Sequence, residues 1–264
     1  MRPFVWTEKK IASNITLTVL EIKELDDKVK AVLDKNFVYI CQGDSGNDLN
    51  TVKKEVVQLY ESKMSKGNDW IMGATAEFFV HLYIALDGFK QECLFLNLEE
   101  QSVKKGFDGF YSQNNDEWLM ESKSGSIESK NICHSAKVKL AMRDLADKVS
   151  GKNISKDKKR PNNPWKNAYS HASHYDVGTS DEIRNDIRRL SNDFTNDVFY
   201  DIEKFNTMPC STIFLSGVWN PKSYDGILKE IQGIIDKLKG KKIHVICITQ
   251  KSVILFLQYI GLRS

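Results

Sequence analysis

The chain has 264 residues, 28% of them charged, and a formal net charge of +3, a near balance that does not by itself mark a nucleic-acid binder; any basic surface has to be local. This length supports one large domain or two small ones with a substantial core. The opening MRPFVWTEKK lacks the long apolar run of a signal peptide and no stretch approaches membrane-spanning length, so a cytoplasmic protein without membrane association is expected. Cys41, Cys93, Cys133, Cys210 and Cys247 form no CxxC pair, which argues against a disulfide framework and a zinc cluster; Cys93, Cys210 and Cys247 lie in or beside apolar strand-like runs, which favours buried structural thiols.

Residues 14–25, NITLTVLEIKEL, alternate apolar and polar positions over Ile15, Leu17, Val19 and Glu21, the pattern of a half-buried strand. A second strand is expected at residues 37–41. The polar stretch DSGNDLN at 44–50 has the aspartates of a calcium loop but Leu49 at the glycine position and no glutamate at the twelfth, so it reads as a turn. An exposed amphipathic helix is expected over 52–64 and an apolar one from near Gly73, ending at Asp87-Gly88. Glu77 lies inside that apolar helix, where an ionised carboxylate needs a partner or an exposed face. His81, one turn on, shares its face and could satisfy it.

CLFLNL at 93–98 has the length and apolarity of a strand covered on both faces. The stretch GFDGFYSQNNDEWLMESKSG at 106–125 then reads as two strands joined by a polar turn. With the strand period of two, Glu121 and Lys123 share a face while Met120 and Ser122 point the other way, and the hairpin brings Asp108 to the same end. Two carboxylates and an ammonium so placed could hold a divalent metal and a phosphate. Equally, Glu121 and Lys123 could be a same-face ion pair contributing about 0.2–1 kcal/mol, and Asp108 could shape a bend flanked by Gly106 and Gly109.

After Gly125 the chain becomes helical, with Ala136, Leu140, Ala141, Leu145 and Val149 on one side. Lys137 and Arg143 lie off that stripe, where they could meet nucleic-acid phosphates or be a solvated face. The segment 151–169 is basic, through Lys152, Lys156, Lys158, Lys159, Arg160 and Lys166, and Pro161 and Pro164 are expected to keep it irregular. Its charge suits salt-dependent backbone contact, although lysine-rich loops are commonly just solvated. His171 and His174 form an HxxH without a cysteine partner, a poor zinc site. Thr179 and Glu182 make a capping-box pattern before a helix expected to run to about Phe205. STIFLSGVW and KIHVICITQ read as buried strands, separated by a helix at SYDGILKEIQGIIDKLKG, and SVILFLQYIGL reads as a terminal helix. No GxxxxGKS loop or GxSxG elbow occurs.

The expected fold is α/β (α+β), a mixed central sheet flanked by helices. It is read as a single domain over 1–264, with 1–70 as an elaboration and 73–250 as the core.

Glu77 in a helix, then Asp108, then Glu121-Ser122-Lys123, in the order helix, strand, strand, strand, resembles the PD-(D/E)XK nuclease core of restriction-endonuclease-like enzymes. Phe107 stands where that family usually has proline. The resemblance implies Asp108 and Glu121 as ligands of Mg²⁺ or Mn²⁺, Lys123 as the catalytic lysine and Glu77 as a further or water-mediated ligand. It implies phosphodiester hydrolysis in DNA, with Lys137, Arg143, Lys158, Lys159 and Arg160 as nucleic-acid contacts. Within the superfamily, an acidic helix followed by GFDG and ESK is similar to nuclease subunits of bacterial anti-phage systems of the Hachiman type, which implies a helicase partner. An RNase on the same core, or a non-catalytic nucleic-acid-binding or scaffold subunit, would share these features.

Overall fold

The computed structural model describes residues 4–96, 106–154 and 160–262. Its centre is a seven-stranded sheet, formed by β1 (Val5–Ala12), β2 (Ile15–Ile22), β3 (Lys90–Gln91), β4 (Gly109–Gln113), β5 (Asp116–Ser126), β6 (Asn206–Phe214) and β7 (Ile243–Gln250), in the order β1-β2-β7-β6-β5-β4-β3. The four middle strands run parallel, and antiparallel hairpins flank them on both sides. This is the expected mixed sheet. The N-terminal hairpin is part of it, because β2 pairs with β7 from Ile15↔Ile243 to Ile22↔Gln250.

Helices cover both faces. On one lie α1 (Asp27–Gln42), α2 (Leu49–Lys63), α3 (Asn68–Leu86) and α8 (Ile254–Ile260), packed on Leu20, Tyr111, Met120, Met208 and Ile246. On the other lie α4 (His134–Val149), α5 (Pro164–Ala172), α6 (Asp181–Thr195) and α7 (Tyr224–Gln232), packed on Leu17, Phe110, Leu119, Val245 and Cys247. Alternate residues of each strand therefore enter two separate cores, which explains the nearly continuous apolar runs of β6 and β7.

Several expectations are corrected. Strand β2 is buried on both faces, with Thr18 inaccessible, because it is interior to the sheet rather than half-buried. Residues 37–41 are helical. Val29, Leu33, Phe37, Ile40 and Cys41 recur at helical spacing and face the core, and Asp26 caps the first turn by accepting from the Val29 N–H. The apolar helix begins at Asn68, five residues before Gly73. Cys93 to Leu96 are buried but form bends rather than a strand; the rest of that expected strand lies outside the described residues. The backbone there is anchored by non-strand contacts, Phe95 N–H to Ile40 O at 3.0 Å and Leu94 N–H to His171 Nδ1 at 3.2 Å.

Pro164 does not keep its segment irregular. It occupies the first turn of α5, where its missing N–H costs nothing, behind the N-cap Asn163. The cap of α6 is Ser180, not Thr179, whose hydroxyl donates to the buried Glu92 at 2.6 Å. That helix stops at Thr195, ten residues short of Phe205, because Asp197 takes a left-handed conformation with φ 60°. The buried face of α4 is Val138, Ala141, Met142, Leu145 and Val149, with Ala136 and Leu140 at its margin.

The β4–β5 hairpin fixes the site described below. Its two-residue turn, Asn114-Asn115, has φ of 49° and 65°, the left-handed pair whose twist matches a right-handed hairpin. Asn tolerates that conformation, whereas β-branched side chains are strained by roughly 1–2 kcal/mol. Asn115→Val should destabilise the protein by about that amount in urea unfolding, and Asn115→Gly should be neutral or stabilising.

Candidate active site

Strand β5 turns Leu119, Glu121, Lys123 and Gly125 toward α4 and Trp118 and Met120 toward α3, the alternation expected from the sequence. Strand β4 stops pairing at Gly109↔Met120, so the Ser122 N–H loses its ladder partner. Asp108, one residue before β4, replaces it: Oδ2 accepts from the Ser122 N–H at 2.8 Å. A Cβ on Gly109 would lie 2.5 Å from the Tyr111 ring and 2.9 Å from the Met120 methyl, so the bend carrying Asp108 needs glycine there.

Glu121 is 2% exposed. Its Oε1 accepts from Lys123 Nζ at 2.8 Å, and its Oε2 accepts from Lys148 Nζ on α4. Lys123 Nζ also lies 2.9 Å from Asp144 Oδ2, and Asp144 Oδ1 is 3.6 Å from Arg143 Nη2. The result is an alternating row, Lys148, Glu121, Lys123, Asp144, Arg143, running from the buried end of β5 to the surface of α4. Burial, then the Asp108 charge, pushes the Glu121 carboxyl above its ordinary range against the pull of the two lysines. Burial pulls Lys123 and Lys148 down, yet Glu121 and Asp108 outweigh it and hold both ammonium groups above the usual lysine value.

Asp108, Glu121 and Lys123 are thus brought together. Glu77 is placed across the sheet from them, since α3 packs on the opposite face. Its Oε1 is 3.5 Å from His81 Nε2, and His81 Nδ1 meets the Tyr111 hydroxyl. Lys137 reaches the rim: a Cβ on Gly125 would be 2.9 Å from Lys137 Cε and 3.2 Å from its Nζ, so this lysine lies over β5 two residues beyond Lys123. Arg143 is exposed beside Asp144, and Arg160 is exposed before α5. Lys158 and Lys159 fall outside the described residues. The HxxH residues are used separately: His171 is buried and accepts from Leu94, while His174 pairs with Asp176 at 3.6 Å.

Asp144 and Lys148 were not anticipated as site residues. They stand four apart at the edge of the α4 apolar stripe, a position that ordinarily reads as a solvated face; only the docking of α4 on β5 shows that a buried Glu121 needs a second ammonium. His134 was also missed. It is buried one strand over, with Nδ1 2.9 Å from Ser211 Oγ and Nε2 3.3 Å from Thr249 Oγ1, and burial lowers its pKa to about 4, which keeps it neutral.

A separate cavity of about 800 Å³ opens at the hairpin turn, lined in part by Asn114, Asn115, Glu117, Asp186, Arg189 and Lys241. Burial, then Asp186 and Glu92, raise Glu117 to about 7. A carboxyl raised in the folded state binds its proton more tightly there, so its contribution to stability is complete below pH 4.5 and is lost as pH rises through 7. Allowing for solvent screening at this partly exposed group, Glu117→Gln should flatten the loss of stability between those pH values by roughly 1–3 kcal/mol. Chemical denaturation of both proteins across that range reads the difference.

The sequence matches no protein-family model and no curated protein, so the arrangement of Asp108, Glu121, Lys123 and Lys148 has to speak for the chemistry on its own.

Proposed function

We propose that this chain is a divalent-metal-dependent nuclease that hydrolyses phosphodiester bonds, with DNA as substrate. The observation that carries the reading is one buried carboxylate, Glu121, bracketed by the ammonium groups of Lys123 and Lys148, with Asp108 charged close beside it.

The donors fit Mg²⁺ or Mn²⁺. Asp108 and Glu121 offer hard oxygen ligands; burial and then the Asp108 charge raise the Glu121 carboxyl, and a shared cation would relieve both. These two residues would hold the ion, which when bound supplies an activated water and polarises the phosphate. Lys123 and Lys148 offset charge that develops on the phosphate oxygens. Asp144 holds the Lys123 ammonium from the helix side, fixing its position. Lys137, over Gly125, and Arg143, on the surface of α4, supply phosphate contacts at the rim. Glu77, the further ligand implied by the resemblance, lies on the α3 face of the sheet, opposite Glu121. The resemblance to defence nucleases extends the proposal to a role in anti-phage defence with a helicase partner, for which this chain offers no nucleotide loop of its own.

A second reading is favoured by one feature: both oxygens of Glu121 already have partners. A fold that keeps this row only as a structural ion-pair network would serve as a nucleic-acid-binding or scaffold subunit.

Mg²⁺- or Mn²⁺-dependent cleavage of plasmid, single-stranded DNA and RNA separates the readings. Lys123→Ala and Glu121→Gln should each lower the cleavage rate by about a hundredfold or more. Cleavage by Lys123→Ala at the wild-type rate would remove the site. No cleavage by the wild-type protein, alone or with a helicase, favours the scaffold, and preference for the RNA arm makes it an RNase.

A further inference from the structure

On the α3 face of the sheet, the face opposite Glu121, three elements distant in sequence converge. Glu8 comes from β1, Asp87 caps the C-terminus of α3, and His244 comes from β7. One ligand atom from each lies within 4.8 Å of the others. His244 is buried, 6% exposed, whereas Glu8 is exposed and can turn.

Two hydroxyls complete the surroundings. Thr18 Oγ1 lies 2.9 Å from His244 Nε2, 3.0 Å from the Tyr83 hydroxyl and 3.4 Å from Glu8 Oε2. Tyr83 donates to the same Glu8 oxygen at 3.4 Å, and His244 Nε2 is 3.9 Å from it. Glu8 Oε2 is therefore met by two hydroxyls and an imidazole, none of which neutralises it. Trp6 packs edge-on against Tyr83 with ring centroids 5.5 Å apart, walling one side.

We propose that Glu8, Asp87 and His244 form a site for a first-row divalent cation, of which Zn²⁺ and Mn²⁺ suit one imidazole nitrogen and two carboxylate oxygens. Bonds of about 2.0–2.2 Å to all three place the ligand atoms roughly 3–4 Å apart. Glu8 Oε2 already stands 3.9 Å from His244 Nε2, and small side-chain rotations of Glu8 and of the partly exposed Asp87 bring the three atoms to that spacing. Thr18 and Tyr83 stay off the ion, their hydroxyls donating to Glu8 Oε2 and orienting that carboxylate. The ion ties the edge strand β1 to the end of α3 and to β7, elements joined there otherwise by hydrogen bonds and packing. Two carboxylates and an imidazole match the donor preference of such an ion, with coordination positions left for water on the exposed side.

This site is independent of the nuclease reading, and the experiment keeps the two apart. Zn²⁺ and Mn²⁺ are titrated separately into the full chain by calorimetry, with thermal unfolding followed in parallel. The wild-type protein should bind at this site and gain about 5 °C in melting temperature at a hundredfold excess over Kd. Glu8→Gln, at an exposed position of the edge strand, should weaken that binding at least tenfold, as should His244→Asn, while Glu121→Gln retains it. Binding that is absent from the wild type, equal in Glu8→Gln, or lost in Glu121→Gln overturns the proposal. Loss of nuclease activity in Glu121→Gln with cation binding intact at Glu8 leaves it standing.

Discussion

A carboxylate removed from water is tolerated only where opposite charge and hydrogen bonds meet it, and Glu121 is the point where the fold has to satisfy that condition. Its partners come from two elements: Lys123 from its own strand and Lys148 from the helix packed above. Removing one lysine would leave a buried charge only partly compensated, a far larger penalty than losing a surface pair. The docking of α4 on β5 is therefore set by charge as well as by Val138, Ala141, Leu145 and Val149. The apolar stripe supplies most of the adhesion, and the lysine fixes which residue of the helix stands over the acid.

The neighbouring strand is locally irregular beside this arrangement. Glu121 and Lys123 lie opposite Pro209 and Ser211 of the neighbouring parallel strand. Pro209 brings no N–H to the ladder, and the pairing of β6 with β7 is interrupted between Thr207 and Cys210. The backbone is thus locally irregular beside the carboxylate, while the strands above and below it remain regularly paired. On the outer side, Asp108 finishes the hydrogen bonding of β5 where β4 ends. A single aspartate thereby contributes both a structural bond through one oxygen and negative charge to the cluster.

Much of this could be read from the amino-acid order. Alternation in ESK put Glu121 and Lys123 on one face, and the polar stretch between two strand-like runs marked a hairpin turn, because both signals depend only on local geometry. A long apolar run gave β7 for the same reason, whereas the run STIFLSGVW marked only the second half of β6, which spans Asn206–Phe214 and ends before Leu215. FVYIC misled because short β-branched and aromatic runs suit either a strand or a buried helix, and the helical spacing from Val29 to Cys41 becomes decisive only over a longer window. Strand β1 escaped notice since WTEKK is largely polar, as an edge strand exposed to water can be. Asp144 and Lys148 were hidden for a different reason: their partners lie on β5, and no local pattern encodes how a helix is rotated on a sheet. The same limit applied to Glu77, whose order along the chain said nothing about which side of the sheet its helix would cover.

The parallel pairing of β2 with β7 bears on how the molecule reaches this state. Thr18 and His244, joined by a hydrogen bond, are 226 residues apart in sequence, and their strands are among the most extensively paired in the sheet. Bringing such segments together costs loop-closure entropy that no earlier local contact repays. During synthesis the β1–β2 hairpin must wait, its core-facing Leu17, Leu20 and Ile22 exposed, until β7 has emerged. The charged residues Glu8, Lys9 and Lys10 on the outer strand shield one side of that waiting hairpin from pairing with other chains. Slow closure is the kinetic counterpart expected of a sheet in which β2 and β7, more than two hundred residues apart, lie side by side.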